Sequence, residues 1–157
     1  MKIAGLELSP MGAQTVVLPR GEKDIVITAA PVRDYVGFDQ LCPRPKPPSK
    51  ITPGGEQFLN PEDPKYLVKL NDWAEQRIFY MFIKSLTIGT PDLEFETVKI
   101  DDPTTWKNIA TELEAVFSGL ELKKITDAIR FANGLDEEKI DQATRAFLAG
   151  QRLQARL

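Results

Sequence analysis

Histidine is absent from this chain of 157 residues. Its absence removes the Ser-His-Asp and Cys-His nucleophile systems in their usual forms, and with them the commonest proton shuttle near neutral pH. Cysteine occurs once, at Cys42, so the chain holds no internal disulfide framework. One thiol and no imidazole cannot assemble a soft ligand set for zinc. Nothing beside Cys42-Pro43 activates a thiolate, so an idle or buried thiol is expected. No GxxxxGK[ST] or GxGxxG loop is present, and Gly54-Gly55 and Gly89 make no phosphate cradle. No apolar run approaches the ~18–20 residues of a membrane span. Lys and Arg number 20 against 23 Asp and Glu, for a net charge of −3, and this balance leaves no basic footprint for nucleic acid. Lys123-Lys124, Arg145, Arg152 and Arg156 lack aromatic interleaving and read as helix-surface charges. The opening MKIAGLELSPMGAQTVVL reads as no signal peptide, because Glu7 and Ser9-Pro10 break its apolar run. A soluble cytoplasmic protein is the expectation.

What the chain does have is one long periodic stretch, Asp63 to Leu86. Asp63 suits a helix N-cap and Pro64 the first helical position, where its missing N–H has no partner to lose. Tyr66, Leu67, Leu70, Trp73, Ala74, Arg77, Ile78, Met81, Phe82 and Leu86 recur at three- and four-residue steps, predicting a helix about 35 Å long at 1.5 Å per residue. Its second half, Ile78 to Ile83, is apolar around the whole circumference, and a helix apolar all round is buried all round. The covering surface is either this chain's or a partner's.

Residues 1–40 are expected to form a β-rich N-terminal region. TVVL at Thr15–Leu18 and DIVITA at Asp24–Ala29 flank a polar turn at Arg20–Lys23, which predicts a hairpin. Val32–Phe38 is ambiguous. Residues 41–64 hold seven of the twelve prolines and read as a linker, part polyproline II and part turn. Pro45-Lys46-Pro47-Pro48 matches a PxxP ligand for an SH3-like groove; it equally suits a spacer draped over the surface, the commoner use of such runs.

Residues 65–157 are expected to form a helical domain with one short strand near 93–100, where Leu93, Phe95 and Thr97 alternate with Glu94 and Glu96. Asp102-Pro103 starts a helix carrying Trp106, Ile109, Ala110, Leu113, Val116 and Phe117. Ser118 with Glu121 fits a capping box for a helix with Leu122, Ile125, Ala128, Ile129 and Ala132, ended by Asn133-Gly134. Asp136 opens the last helix, with Ile140, Ala143, Phe147 and Leu148 inward, and Gly150 precedes a frayed tail. Short connections make these helices neighbours. The predicted class is therefore α+β, mainly α: a short β-rich N-terminal region and a four-helix C-terminal bundle, joined by a proline-rich linker.

Acidic pairs are the only candidates for metal or acid–base chemistry. Asp101-Asp102, Glu94/Glu96 and Glu137-Glu138 suit a hard cation, but each also sits where a helix start or a strand's polar face wants acids. No catalytic, cofactor or metal residue is assigned, and a non-enzyme without cofactor is expected. Trp73 and Phe82 lie on the helix stripe and read as core. Phe79, Tyr80 and Ile83 lie off it and are the candidate partner-binding residues, since Trp and Tyr favour interface hot spots.

Five segments in order, LELSPMG, RPKPP, NPEDPKYLVKLNDW, LEFETVKIDDPTTW and NGLDEEKIDQATRAFLAG, resemble tail assembly chaperones of long-tailed, siphovirus-type bacteriophages. Together they cover most of the chain; none is a mechanistic motif, and their order and spacing carry the likeness. Phe95 stands where the family's E-W-E-T-V has tryptophan. The resemblance implies non-catalytic work in the cytoplasm of the infected host: binding the tape measure protein, recruiting tail tube protein, and leaving before the virion is finished. It also suits a homo-oligomer along the client. Two other readings stay open, a structural virion component (neck, connector or tail protein) and a small inhibitory binder of a host factor whose basic surface would meet the acidic balance.

Overall fold

The computed structural model describes residues 1–7, 12–134 and 137–155, with the side chains of the last helix described over 141–151. Ser9-Pro10 and Asp136, and the side chain of Ile140, lie outside the described residues. Within these limits the chain is α+β, with five α-helices and three two-stranded antiparallel sheets.

Strands β1 (Lys2–Ile3) and β2 (Leu6–Glu7) form a small exposed ribbon. The hairpin predicted from TVVL and DIVITA is real. β3 (Gln14–Arg20) pairs with β4 (Lys23–Ala29) from Gln14↔Ala29 to Arg20↔Lys23. Its loop is two residues, Gly21-Glu22, with Gly21 at φ +57°; a tight hairpin of this kind needs positive φ, which glycine adopts without steric penalty. Alternation puts Leu18, Ile27 and Ala29 inside and leaves Val17 and Val26 exposed.

The ambiguous stretch resolves as a short helix, α1 (Val36–Leu41), with Phe38 fully buried. The linker is not structureless. It contains a third ribbon, β5 (Ser49–Ile51) with β6 (Gln57–Leu59), closed by a turn in which Gly55 takes φ +84°. Its proline segment lies on the body: Pro45 and Pro47 are half-covered while Arg44 and Lys46 are exposed. The Trp73 indole N–H donates to the Cys42 carbonyl at 3.0 Å, and the Arg44 guanidinium lies 5.4 Å from the Trp73 ring centre. Cys42 is the C-cap of α1, so its carbonyl has no partner within that helix and is free for such a donor.

Helix α2 (Pro64–Gly89) starts as predicted, with the Asp63 carboxylate accepting from the Tyr66 N–H at 3.0 Å. Beyond it, the expected strand near 93–100 is absent. The alternation there is misleading because Glu112 takes the backbone donors that a strand partner would have taken: its carboxylate accepts from the N–H groups of Glu96, Thr97 and Val98 at 3.0, 2.6 and 3.1 Å. Asp102 caps a 3-10 turn at Pro103–Thr105, and α3 (Asn108–Val116) follows. α4 (Gly119–Ala132) carries the predicted capping box of Ser118 and Glu121. Gly134, at φ +68°, follows its C-cap, Asn133. The last helix, α5 (Glu137–Ala155), runs through Gly150 rather than ending there.

Among the described residues the expected four-helix bundle is not seen. One hydrophobic cluster joins Leu18, Ile27 and Ala29 of the hairpin to Phe38, to Tyr80, Met81, Ile83 and Leu86 of α2, and to Ile125, Ala128 and Ile129 of α4. α2 packs on β4, and α4 packs on β3 and β4. A two-stranded hairpin is unstable in water by itself, so its apolar face takes the place that a fourth helix would fill. Every described side chain of α5 is exposed. Ala143, Phe147 and Leu148 therefore do not face this core.

Candidate functional site

The covered side of α2 is set by the shared core of the hairpin, Phe38, Trp106 and α4, and this decides the fate of the three candidate partner-binding residues. Tyr80 is 3% exposed and Ile83 1%. Both are core residues, which corrects the expectation that they lie at a free surface. Tyr80 sits in an aromatic cluster, with ring centres 5.6 Å from Phe38, 5.4 Å from Trp106 and 6.0 Å from Tyr35. Tilted pairs at these separations are favourable beyond the area they bury. Gly37 leaves room for the phenol, since a Cβ there would come within 2.8 Å of the Tyr80 hydroxyl oxygen. Burial pushes the Tyr80 hydroxyl pKa up, and the neighbouring Asp34, Tyr35 and Asp39 push it further. The phenol is therefore neutral and offers no base.

Phe79 lies at the edge of the same core. It is half-exposed and lines a groove of about 220 Å³ between α2, α3 and α4. Ile78, Phe79 and Phe82 form one wall, Ile109, Ala110 and Leu113 the other, and Leu122 closes the end; Glu114 and Thr126 are its polar rim. Ile78 is 54% exposed. The helix phase explains this wall. Tyr80 and Ile83 turn into the core, so Ile78, Phe79 and Phe82, displaced around the axis, turn toward α3. Of the residues assigned to the core, Trp73 is half-buried against Phe38 at 5.7 Å, and Phe82 is shared between core edge and groove.

A second recess, about 530 Å³, lies across α3 between Glu94, Glu96 and Thr97 on one side and Asn108, Thr111, Glu112 and Ala115 on the other. Its carboxylates do not converge on a cation. Glu112 is engaged by the backbone donors described above. Burial raises its pKa, but the Thr97 hydroxyl and the three N–H groups outweigh this and hold it below the ordinary value. Asp102 caps its own turn. Among the described residues, no group of three or more His, Cys, Asp or Glu side chains is placed to hold a metal ion; the side chains of Glu137 and Glu138 lie outside them. Burial pushes the Cys42 thiol pKa up, which lowers its thiolate fraction. Among the described residues, no helix is long and apolar enough to cross a membrane.

The groove was only partly visible in the sequence. Phe79 could be singled out from its place off the stripe. Trp106, Ile109, Ala110, Leu113, Val116 and Phe117 are a plain three-four repeat that predicts burial, and half of it, Ile109, Ala110 and Leu113, lines the groove. No family model, no curated protein and no solved structure matches this chain.

Proposed function

We propose that the chain is a non-catalytic assembly chaperone of a bacteriophage tail. It would act in the cytoplasm of the infected host and bind the tape measure protein and tail tube subunits. The observation that carries this reading is the groove of Ile78, Phe79, Phe82, Ile109, Ala110, Leu113 and Leu122. Its lining is apolar with a sparse polar rim, the chemistry that receives the apolar face of an amphipathic helix. A long helical client would expose such a face before assembly. The resemblance in segment order from LELSPMG to the NGLDEEKIDQATRAFLAG close supplies the identity of that client.

Co-expression with the tape measure protein tests the proposal. A soluble complex is expected, and Ile78→Glu should abolish it while leaving the circular dichroism spectrum unchanged. No complex, together with recovery of the chain in purified virions, would sink the reading.

A second reading, a virion component of neck, connector or tail, has one observation in its favour. The ribbons β1–β2 and β5–β6 stand off the core with Ile3, Leu6, Ile51 and Leu59 exposed, as docking arms for a neighbouring subunit would. Mass spectrometry of purified particles separates the two.

A further inference from the structure

We infer that two copies of this chain pair side by side through the open edge of β3 and the adjoining flank of α4, joining their hairpins into one four-stranded sheet. The surface lies outside the α2–α3–α4 groove, so the inference holds whatever the client is.

The edge follows from the bonding of the hairpin. Its two-residue loop makes Arg20↔Lys23 a hydrogen-bonded pair, and such pairs alternate along an antiparallel ladder. Thr15↔Thr28 and Val17↔Val26 are therefore non-hydrogen-bonded pairs. Thr28 agrees with this phase, since its N–H and carbonyl are both taken by Thr90 Oγ1 on the far side of β4. By the same alternation Thr15 and Val17 aim their N–H and C=O groups away from β4. Among the described residues no backbone group outside the hairpin bonds to them.

Among the described residues β3 alone is both long and open. β1, β2, β5 and β6 are two or three residues long, and Thr90 of the α2 C-cap covers the edge of β4. Open edges are normally guarded by charge. From Gln14 to Pro19 β3 has none, and Arg20 is drawn off to the Val116 carbonyl and to Glu121 at 2.9 and 2.8 Å. Only another extended backbone presents donors and acceptors at the two-residue spacing of this edge, so the occupant is a strand.

The flank of α4 says whose strand it is. Ile125, Ala128, Ile129 and Ala132 face the core, and Leu122 and Thr126 line the groove. Leu120, Lys124, Asp127 and Phe131 recur at steps of four and three and make a separate stripe, with the core residues between it and the groove flank. α2 packs on β4, whereas α4 packs on β3 as well. The groove flank of α4 therefore faces α2, and the stripe faces the side where β3 is open. Leu120 is 70% exposed and Phe131 43%; Lys124 is exposed and Asp127 half-buried. In order the stripe is apolar, cation, anion, apolar. A two-fold axis runs an identical helix antiparallel to it. Lys124 then meets Asp127 of the second copy, Asp127 meets Lys124 of the second copy, and Leu120 meets Phe131 of the second copy. The stripe is its own complement when reversed, which selects a second copy over a foreign strand.

Strand and helix spacings agree with each other. Paired strands lie about 4.8 Å apart, so a helix axis midway between β3 and β4 stands about 2.4 Å inside β3. The two α4 axes then lie roughly 10 Å apart, at the upper end of the range for packed helices. Pairing Thr15 with Val17 of the second copy, and the reverse, uses every open N–H and C=O of the two residues. Pro19, which has no N–H, ends the ladder.

Sedimentation equilibrium on the full chain at micromolar concentrations tests this. The unmodified chain should be dimeric. Val17→Pro removes an outward N–H and no bond to β4, so it should leave the circular dichroism spectrum unchanged and weaken the dimer roughly tenfold. Lys124→Asp and Asp127→Lys each set like charges opposite one another twice, and each should weaken it roughly tenfold. The decisive arm is their mixture. The Lys124→Asp copy carries acids at both charged stripe positions and the Asp127→Lys copy cations at both, so both cross-copy pairs return. The heterodimer should form within about threefold of the unmodified affinity. A chain monomeric throughout overturns the inference, as does a dimer indifferent to the charge variants or a mixture no tighter than its components. A folded Val17→Pro chain that dimerises unchanged overturns it too; if that variant misfolds, the charge variants decide.

Discussion

Ser85 and Ala30 hold each other by two reciprocal hydrogen bonds. The Ser85 hydroxyl donates to the Ala30 carbonyl at 2.7 Å, and the Ala30 N–H donates to the Ser85 carbonyl at 3.0 Å. One residue lies inside α2 and the other just past β4. A helix residue thus completes the edge of the strand, where water is excluded and an unpaired backbone carbonyl is costly. Ser85 is fully buried, and it also accepts from Asn133 Nδ2 at 3.3 Å. Replacing Ser85→Ala leaves the Ala30 carbonyl without its donor. A loss of about 1–3 kcal/mol is expected, measured as a lower urea midpoint with an unchanged m-value.

The same helix meets the same strand again one turn later. Thr90 Oγ1 accepts from the Thr28 N–H at 2.9 Å and donates to the Thr28 carbonyl at 3.0 Å. This is possible only because Gly89 has no side chain; a Cβ there would overlap the Thr28 carbonyl oxygen and come within 2.9 Å of the Ala30 nitrogen. Both obstacles are backbone and cannot rotate away. Gly89→Ala should therefore destabilise the fold by about 1–3 kcal/mol, the usual range for overpacking, although alanine is the better helix former. Thermal unfolding checks this, and an alanine variant that melts higher would show that α2 and β4 separate freely.

Tyr80 and Phe79 are adjacent in sequence and opposite in consequence. Truncating Tyr80→Ala empties the centre of the Phe38–Trp106–Tyr35 cluster, and a loss of about 3–5 kcal/mol is expected from large-to-small aromatic replacement in a core. Phe79→Ala should cost less stability and instead lower binding in the groove. Paired denaturation and pull-down measurements on the two variants separate the roles; equal losses of stability would place Phe79 in the core as well.

Glu112 makes the fold sensitive to acid. Its folded-state pKa is depressed below the ordinary glutamate value of about 4.5. Its contribution is therefore fully present above the unfolded value and is lost as pH falls through the folded one. Stability should decline as the pH is lowered below about 4.5, and the 94–98 segment should loosen with it. In Glu112→Gln that part of the decline should vanish while neutral-pH stability drops, because the amide accepts the same N–H groups more weakly than a carboxylate. Denaturant titrations at a series of pH values read this directly. Identical pH profiles for the two proteins would assign the acid sensitivity to other carboxylates.

Several features were readable in advance because their physics is local. The Asp63 cap, the Asp102 cap, the Ser118–Glu121 box and the Asn133-Gly134 stop each involve groups within four residues of one another. The hairpin was readable because two short β-rich runs, Thr15–Leu18 and Asp24–Ala29, flank a polar turn. The apparent strand near 93–100 failed because its alternation says nothing about who takes its N–H groups. The carboxylate that does so lies 14 to 16 residues further on.

Residue order alone determined the start of α2 at Asp63-Pro64, both ends of α4 and the presence of the β3–β4 hairpin. It also excluded histidine- and disulfide-dependent chemistry. It did not determine which side of Ile78–Ile83 is covered. A segment apolar around its circumference has no phase to read, and a flanking stripe extrapolated through it pointed the wrong way. Packing decided that. The face with Tyr80 and Ile83 is taken by a core that Phe38, Trp106, the β3–β4 hairpin and α4 build together. Ile78 is left on the groove wall, because groups so far apart in sequence meet only when the whole chain packs.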